Sequence, residues 1–299
     1  MRSLPLPHAM TAAQTSDRSA ARDYWKDQME RAFAFMEKMR TFPVRECGEG
    51  MVSLQEATEG LKVEFSTTKI NDEHPRVWNV RAGLGDSVRA IAKEMNERGW
   101  ILKFEDGYRS PAMQRSITHS SRIFDSILRA VMWELGGETP SPEFMLRRVS
   151  VLVATRCKVG THISGSAIDI SVIDQKTGKE IPRGGPYIEI SERTPMNSPF
   201  VTAEESANRK EITALMLRHG WYAYPFEFWH YSSGDCYAED IASSGQPARY
   251  GPVVFDGGST TPIGPAEADA LLEPVAFYRR QIAAALARIP AQTGRAAAS

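Results

Sequence analysis

Long apolar runs, a charge of one sign and cysteine are what this chain of 299 residues has least of. No stretch approaches the ~20 consecutive apolar residues of a membrane span. Met1 to Arg22 has no apolar core of the kind a signal peptide needs, so a soluble, cytoplasmic chain with no membrane partner is expected. Lys and Arg number 36 against 37 Asp and Glu, a formal net charge of −1, and no basic block interrupts the mixture. Nucleic acid is therefore not an expected partner. The three cysteines, Cys47, Cys157 and Cys236, are odd in number and lack Cys-x-x-Cys spacing, which argues against a disulfide framework and reads them as small buried apolar groups. Gly83 and Gly85 lack the third glycine of a dinucleotide loop, and neither a Gly-x-Ser-x-Gly elbow nor a Cys–His pairing offers a nucleophile.

What the chain does have is period. Trp25, Met29, Ala32, Phe33, Met36 and Met39 recur at helical spacing between Ala21 and Arg40, so an amphipathic helix is expected there, after an unstructured tail over 1–20. Leu61, Val63 and Phe65 alternate as a strand. Asp86 to Arg98 reads as a helix with Gly99 at its C′ position, and Trp100 to Phe104 as a strand that delivers Glu105 to Arg109 onto a loop. One long helix is expected from Pro111 to about Leu135, with His119 on it, and a buried strand over Val149 to Ala154. Thr202 and Glu205 form a capping-box signature for a helix ending at Gly220; Trp221 to Tyr224 and Glu227 to Tyr231 then read as strands interrupted at Pro225. Gly251 to Pro265 reads as a linker, Leu271 to Leu286 as a last helix, and the end after Pro290 as disordered.

The chemistry concentrates in Thr161-His162-Ile163-Ser164-Gly165-Ser166-Ala167-Ile168-Asp169 and in Glu227-Phe228-Trp229-His230. Ile168, Ile170 and Val172 alternate with Ala167, Asp169 and Ser171, which puts the aliphatic groups on one face of a strand and the carboxylate on the other. Two imidazoles and a carboxylate, with a position left for water, make up a catalytic zinc site. His162, Asp169 and His230 would make that set, for an expected one Zn2+ per chain. Glu227 is the natural general base. An offset of three puts Glu227 and His230 on opposite faces of a straight strand, so a turn near Pro225 and Phe226 must place the glutamate at the rim.

These motifs resemble those of the VanX-type D-alanyl-D-alanine dipeptidases, zinc D,D-peptidases whose core is shared with the hedgehog signalling domain. The family's His-x-x-Gly-x-Ala-x-Asp stands here as His162, Gly165, Ala167 and Asp169, and its Glu-x-Trp-His as Glu227, Trp229 and His230. Asp106-Gly107-Tyr108-Arg109 looks like its arginine loop and Asn208-Arg209 is similar too, so the resemblance covers roughly Val80 to Tyr250. It implies an α+β fold whose central antiparallel sheet carries the zinc site and is flanked by helices, with added N- and C-terminal helices. The organisation expected is a tail over 1–20, a zinc D,D-peptidase domain with an N-terminal helical extension over 21–250, and a linker, helix and tail over 251–299. The implied activity is hydrolysis of D-alanyl-D-alanine or a similar D,D-dipeptide, with Arg109 stabilising the oxyanion. The alternatives are a D,D-carboxypeptidase trimming longer cell-wall peptides and a non-catalytic hedgehog-like zinc domain; retention of Glu227 argues against the latter. Two departures bear on substrate. Gly160 stands where the dipeptidases have a serine, leaving Thr161 as the nearest hydroxyl. Their amine-binding aspartate falls on Ile188 by an ungapped count, so Glu189 or Glu192 is the carboxylate available for a substrate ammonium, and Trp229 is a further candidate substrate contact.

Overall fold

The computed structural model describes residues 12–69 and 74–288; the first eleven residues of the tail expected over 1–20, and the end after Pro290, lie outside the described residues. Helix α1 spans Ala12–Thr41, so residues 12–20 are helical instead of unstructured. Trp25, Met29, Ala32, Met36 and Met39 are buried along it, as their spacing predicts. There follow β1 (Met51–Ser53), α2 (Leu54–Ala57), β2 (Val63–Phe65), β3 (Asn79–Arg81), α3 (Gly85–Glu97) and β4 (Trp100–Asp106). Gly99, at φ 76°, takes the left-handed position that ends α3.

Two helices stand where one was expected, α4 (Pro111–His119) and α5 (Ser121–Glu134), parted at Ser120 with its ψ at 114°. His119, Ser120 and Ser121 are weak helix formers, and serine side chains compete for backbone groups at such a break. The strand expected over Val149 to Ala154 is instead the end of α6 (Pro142–Leu152) and the turn after it. Ser141 caps α6 by accepting the Phe144 N–H at 3.1 Å, and Pro142 pre-sets the first helical φ. Met145, Val149 and Val153 recur every fourth residue into one apolar cluster, so burial overrides the strand preference of the valines.

The central sheet runs β2-β4-β5-β7-β6, with β5 at Ala167–Asp174, β6 at Tyr222–Ala223 and β7 at His230–Ser232. Its pairs are antiparallel except β2 with β4 at one edge. Before β6 comes α7 (Ala203–Arg218), which carries the predicted capping box. Ile168, Ile170 and Val172 of β5 pack with Val88 and Ile91 of α3 and with Ile212 and Leu215 of α7. Asp169 points to the other face, where residues of α1, α4, α5 and α6 form two further apolar clusters. The fold is therefore α+β, a central sheet flanked by helices. Arg148 of α6 ties that second layer together, with Nε 2.9 and 3.1 Å from the two oxygens of Glu134 on α5 and Nη2 2.7 Å from Glu30 on α1.

After α8 (Cys236–Ile241), the segment read as a linker folds into a hairpin of β8 (Val253–Phe255) and β9 (Thr260–Pro262), followed by α9 (Pro265–Asp269) and α10 (Val275–Arg288). The overlooked signal is Asp256-Gly257: the carboxylate of Asp256 accepts the N–H groups of Gly258 and Ser259, and Gly257 supplies φ 98°. The hairpin is bound to the core, since the Tyr108 hydroxyl donates to the Val253 carbonyl at 3.0 Å and accepts from the Phe255 N–H at 2.9 Å. Cys157 and Cys236 are buried, Cys47 is exposed, and all three are free. Among the described residues no helix is long and apolar enough to cross a membrane.

Removing one partner of a buried ion pair strands the other. Glu134→Ala leaves the buried Arg148 guanidinium with the partly exposed Glu30 alone, and an expected loss of about 3 kcal/mol is read from urea unfolding. An unchanged midpoint would show that the pair does not hold the helical layer.

Candidate metal and catalytic site

Sheet register sets two of the ligands side by side, because β5 and β7 pair with Asp169 opposite His230. Asp169 Oδ1 lies 3.0 Å from His230 Nδ1 and 3.2 Å from His162 Nε2. His162 arrives on the loop before β5, and Arg81 shapes that loop from outside. The buried Arg81 side chain donates to the Ser164 carbonyl at 2.5 Å and its backbone N–H to the Gly165 carbonyl at 2.8 Å. Gly165 sits at φ 69°, and a β-carbon there would come within 2.6 Å of Met51, which accounts for glycine in the motif. All three ligand residues are buried, with ligand atoms within 4.8 Å of one another.

Partners outside the cluster orient the rings. His162 Nδ1 lies 2.7 Å from the Gly107 carbonyl, which can only accept; Nδ1 is therefore assigned the proton, and Nε2 is the nitrogen that faces Asp169. Thr161 Oγ1 lies 2.9 Å from His230 Nε2, on the far side of that ring. Burial pushes His230 below its ordinary pKa against the pull of Asp169, favouring the neutral imidazole. Burial alone would raise Asp169, yet the two imidazoles hold its carboxyl well below the usual range. Three groups that can each turn a lone pair to one point form a ready site for a divalent cation. Two imidazoles and a carboxylate fit Zn2+ with a coordination position left open.

Glu227 reaches the same cavity through the turn that its spacing required. Its N–H donates to the Tyr224 carbonyl at 3.3 Å and the Tyr224 N–H donates to the His230 carbonyl at 2.9 Å, closing residues 224–230 into a tight loop. Burial, then the Asp169 charge, pushes the Glu227 carboxyl well above the usual range, with Arg109 opposing. Below the loop, the Phe228 ring lies 4.3 Å from the Arg209 guanidinium and 5.1 Å from that of Arg183. Arg209, of the pair Asn208-Arg209, donates to the carbonyls of Arg183, Arg193, Pro195 and Met196, and so braces the neighbouring segment. Arg109 lines the cavity, with Nε 2.8 Å from Asp106 and Nη2 3.1 Å from Asp169 Oδ2.

Sequence reasoning missed Tyr187, whose hydroxyl donates to Asp169 Oδ2 at 2.9 Å and whose ring stands edge-on to Trp229 at 5.8 Å. It lies in irregular chain, where no periodicity could single it out. Thr161 and Trp229 line the cavity, but the Thr161 hydroxyl is directed to His230, which makes it a support for a ligand. Glu189 and Glu192 do not line it. Glu189 folds over Gly185 and faces an outer cavity of about 400 Å³ beside Arg76 and Arg122, while Ile188 stands between that cavity and the central one.

A buried two-histidine, one-aspartate centre with a glutamic acid and a guanidinium at its cavity has the construction of a zinc metallopeptidase. More particularly, residues 139–245 match the family model described as D-ala-D-ala dipeptidase, and that segment is similar to the family. A D-alanyl-D-alanine dipeptidase of Enterococcus faecium is 32% identical over 71 residues, 24% of this chain and 35% of that protein. One of Enterococcus faecalis (strain ATCC 700802 / V583) is 30% identical over 71 residues, with the same shares. The chain thus spans about a third of the length of these curated relatives. Among solved structures, the LD-carboxypeptidase LdcB is similar at a TM-score of 0.35 and 17% identity over 69% of this chain and 77% of that one. The vancomycin-resistance D,D-pentapeptidase VanY in complex with Zn(II) is similar at 0.34 and 15%, over 60% and 89%.

Elemental analysis is expected to find one zinc per chain. Tyr187→Phe, which deletes a donor to the ligand carboxylate, should weaken zinc binding by about 10–100-fold in a chelator competition. Affinity equal to that of the unaltered protein would show that Tyr187 does not orient Asp169.

Proposed function

We propose that this chain is a zinc-dependent D,D-peptidase that hydrolyses the peptide bond of a D-alanyl-D-alanine unit. The observation that carries the reading is the convergence of His162, Asp169 and His230 with Glu227 and Arg109 on one cavity. A purely structural zinc takes four protein ligands and has no use for a base beside them.

When bound, zinc would supply an acidified water and a polarised carbonyl. The remaining work falls to side chains. Glu227 takes the proton of the attacking water and returns it to the departing amine. Arg109 is already fixed by Asp106 and Asp169, so its guanidinium meets the charge developing on the carbonyl oxygen without reorganising. That interaction favours the transition state over the ground state. Trp229, Ile117, Ile123 and Ile188 wall the reaction from water.

The names of the relatives favour the free dipeptide as substrate. A second reading, trimming of longer peptides that end in D-Ala-D-Ala, is favoured by one observation. Asp169 and Glu227 are the only carboxylates among the described residues lining the cavity, and both are engaged in the chemistry. An unpaired ammonium is costly to bury. With Glu189 and Glu192 outside the cavity, the preference for a free amine that they would have conferred loses its basis.

Glu227→Gln is expected to keep zinc and to lose ~10²–10⁴-fold in kcat; turnover near that of the unaltered protein would take Glu227 out of the mechanism. Arg109→Lys, lacking the planar fork, should cost about 2.7–4 kcal/mol, measured as the ratio of kcat/KM values. Unchanged kcat/KM would assign the oxyanion to another group. N-acetyl-D-Ala-D-Ala is expected to be cleaved with a kcat/KM at least equal to that of D-Ala-D-Ala, and a marked preference for the free amine would restore the dipeptidase.

A further inference from the structure

Against the loop that carries His162 stands a row of oxygen atoms that the proposed chemistry does not use. At one end is Asp235, the buried cap of α8, whose Oδ1 accepts the N–H groups of Tyr237 and Ala238 at 2.9 and 3.0 Å and the Ser232 hydroxyl at 3.0 Å. Its Oδ2 lies 2.7 Å from Ser166 Oγ. Ser166 Oγ lies 2.5 Å from Ser164 Oγ, and Ser164 Oγ lies 2.6 Å from the Thr161 carbonyl oxygen. Oxygens this close repel one another unless a hydrogen stands between them. Three contacts therefore need three hydrogens. Ser164 and Ser166 supply one each, and the carbonyl at the far end supplies none. The one source left is the carboxyl of Asp235.

We propose that Asp235 is a positioning residue held as a neutral acid: its Oδ2–H donates to Ser166, Ser166 donates to Ser164, and Ser164 donates to the Thr161 carbonyl. The row then runs in one direction. It fixes the chain from Thr161, whose hydroxyl supports His230, to Ser166, which leads into β5, and so a single proton braces the loop that bears His162. The crowding agrees, since three donors meet at Oδ1, the carbonyl oxygen of the acid, and Oδ2 is left to the row. Burial raises the Asp235 carboxyl above its usual range, against its hydrogen-bond partners and the charge of His230. The groups around it leave that balance in place. Burial raises Cys236, Tyr237 and Tyr250 and pushes Cys157 up to about 11, so none of them is charged at neutral pH. The Lys158 ammonium, in the same small space as Asp235, donates to the Phe42 carbonyl at 2.8 Å. Which peptide the enzyme cleaves does not enter the assignment.

The test uses the full chain. At neutral pH the infrared spectrum of the unaltered protein minus that of Asp235→Asn should show the C=O stretch of a protonated carboxyl, and its absence overturns the assignment. The subtraction cancels Glu227, whose carboxyl burial also holds high. An acid that must take up a proton to fold loses stability as pH rises from the ordinary aspartate value to its own raised pKa, and asparagine has no such dependence. The melting temperature of Asp235→Asn should therefore gain on that of the unaltered protein between about pH 4 and neutrality. These two readouts need neither zinc nor substrate. Asparagine offers a carbonyl oxygen and an N–H to the same partners, so Asp235→Asn should bind zinc within about twofold of the unaltered protein in a chelator competition. Ser166→Ala, which breaks the row, should bind it roughly tenfold more weakly. A melting temperature that falls behind with rising pH, an Asp235→Asn protein that does not fold, or one that binds zinc as weakly as Ser166→Ala would make Asp235 a buried carboxylate and overturn the proposal. Zinc affinity unchanged in Ser166→Ala overturns the positioning role.

Discussion

Asp169 is approached on both oxygens from different directions, Oδ1 by the imidazoles of His162 and His230 and Oδ2 by Arg109 and Tyr187. A buried carboxylate stays ionised only where such partners replace water, and each of these four comes from a different part of the chain. The β5–β7 register delivers His230, and the irregularity in the β4–β5 ladder between Phe104 and Asp106 leads into the loop that carries Arg109. Sheet geometry, loop shape and the electrostatics of the site therefore cannot vary independently. Moving any one partner leaves a charge or a lone pair without company in a place that water does not reach.

The loops that carry the site are stiffened in an unusual way, by arginines bound largely to carbonyl oxygens. Arg81, Arg183 and Arg209 are all buried and all donate to backbone carbonyls, of Ser164, of Phe228 and Ile170, and of the 183–196 segment respectively. Burial, followed by the repulsion of Arg183, lowers the Arg209 pKa to about 10, still well above neutrality. A guanidinium has several donors in one rigid plane, so it can fix several carbonyls at once where the chain forms no ladder. The irregular stretches that bear His162, Tyr187 and Glu227 thereby gain the positional definition that helices and strands obtain from their own hydrogen bonds.

Much of this arrangement was legible in the sequence, and what was not has identifiable causes. Alternation in Ile168-Asp169-Ile170 set the face of the ligand strand, and the offset between Glu227 and His230 demanded the turn that is found. Spacing failed where two elements compete for the same residues. Val149 to Leu152 has strand-like composition, but the Ser141 cap and the fourth-residue recurrence from Met145 make it helix. The break at Ser120 and the hairpin at Asp256-Gly257 turn on one or two polar residues inside stretches read by average character. Tyr187 was invisible for another reason, since what makes it notable is the direction of its hydroxyl toward Asp169, a property of packing that no periodicity encodes.

The hairpin after residue 250 bears on how the protein can be handled as a recombinant object. Every motif residue lies before it, and the family match ends at residue 245, so an expression boundary drawn from motifs would omit it. Yet the hairpin receives the hydroxyl of Tyr108, next to Arg109, and the Val253 N–H donates to the carbonyl of Ile163, next to His162, at 3.1 Å. A chain shortened there would retain every ligand while losing the outside support of two loops that aim them. The structural support of the candidate site extends beyond the segment that resembles the relatives.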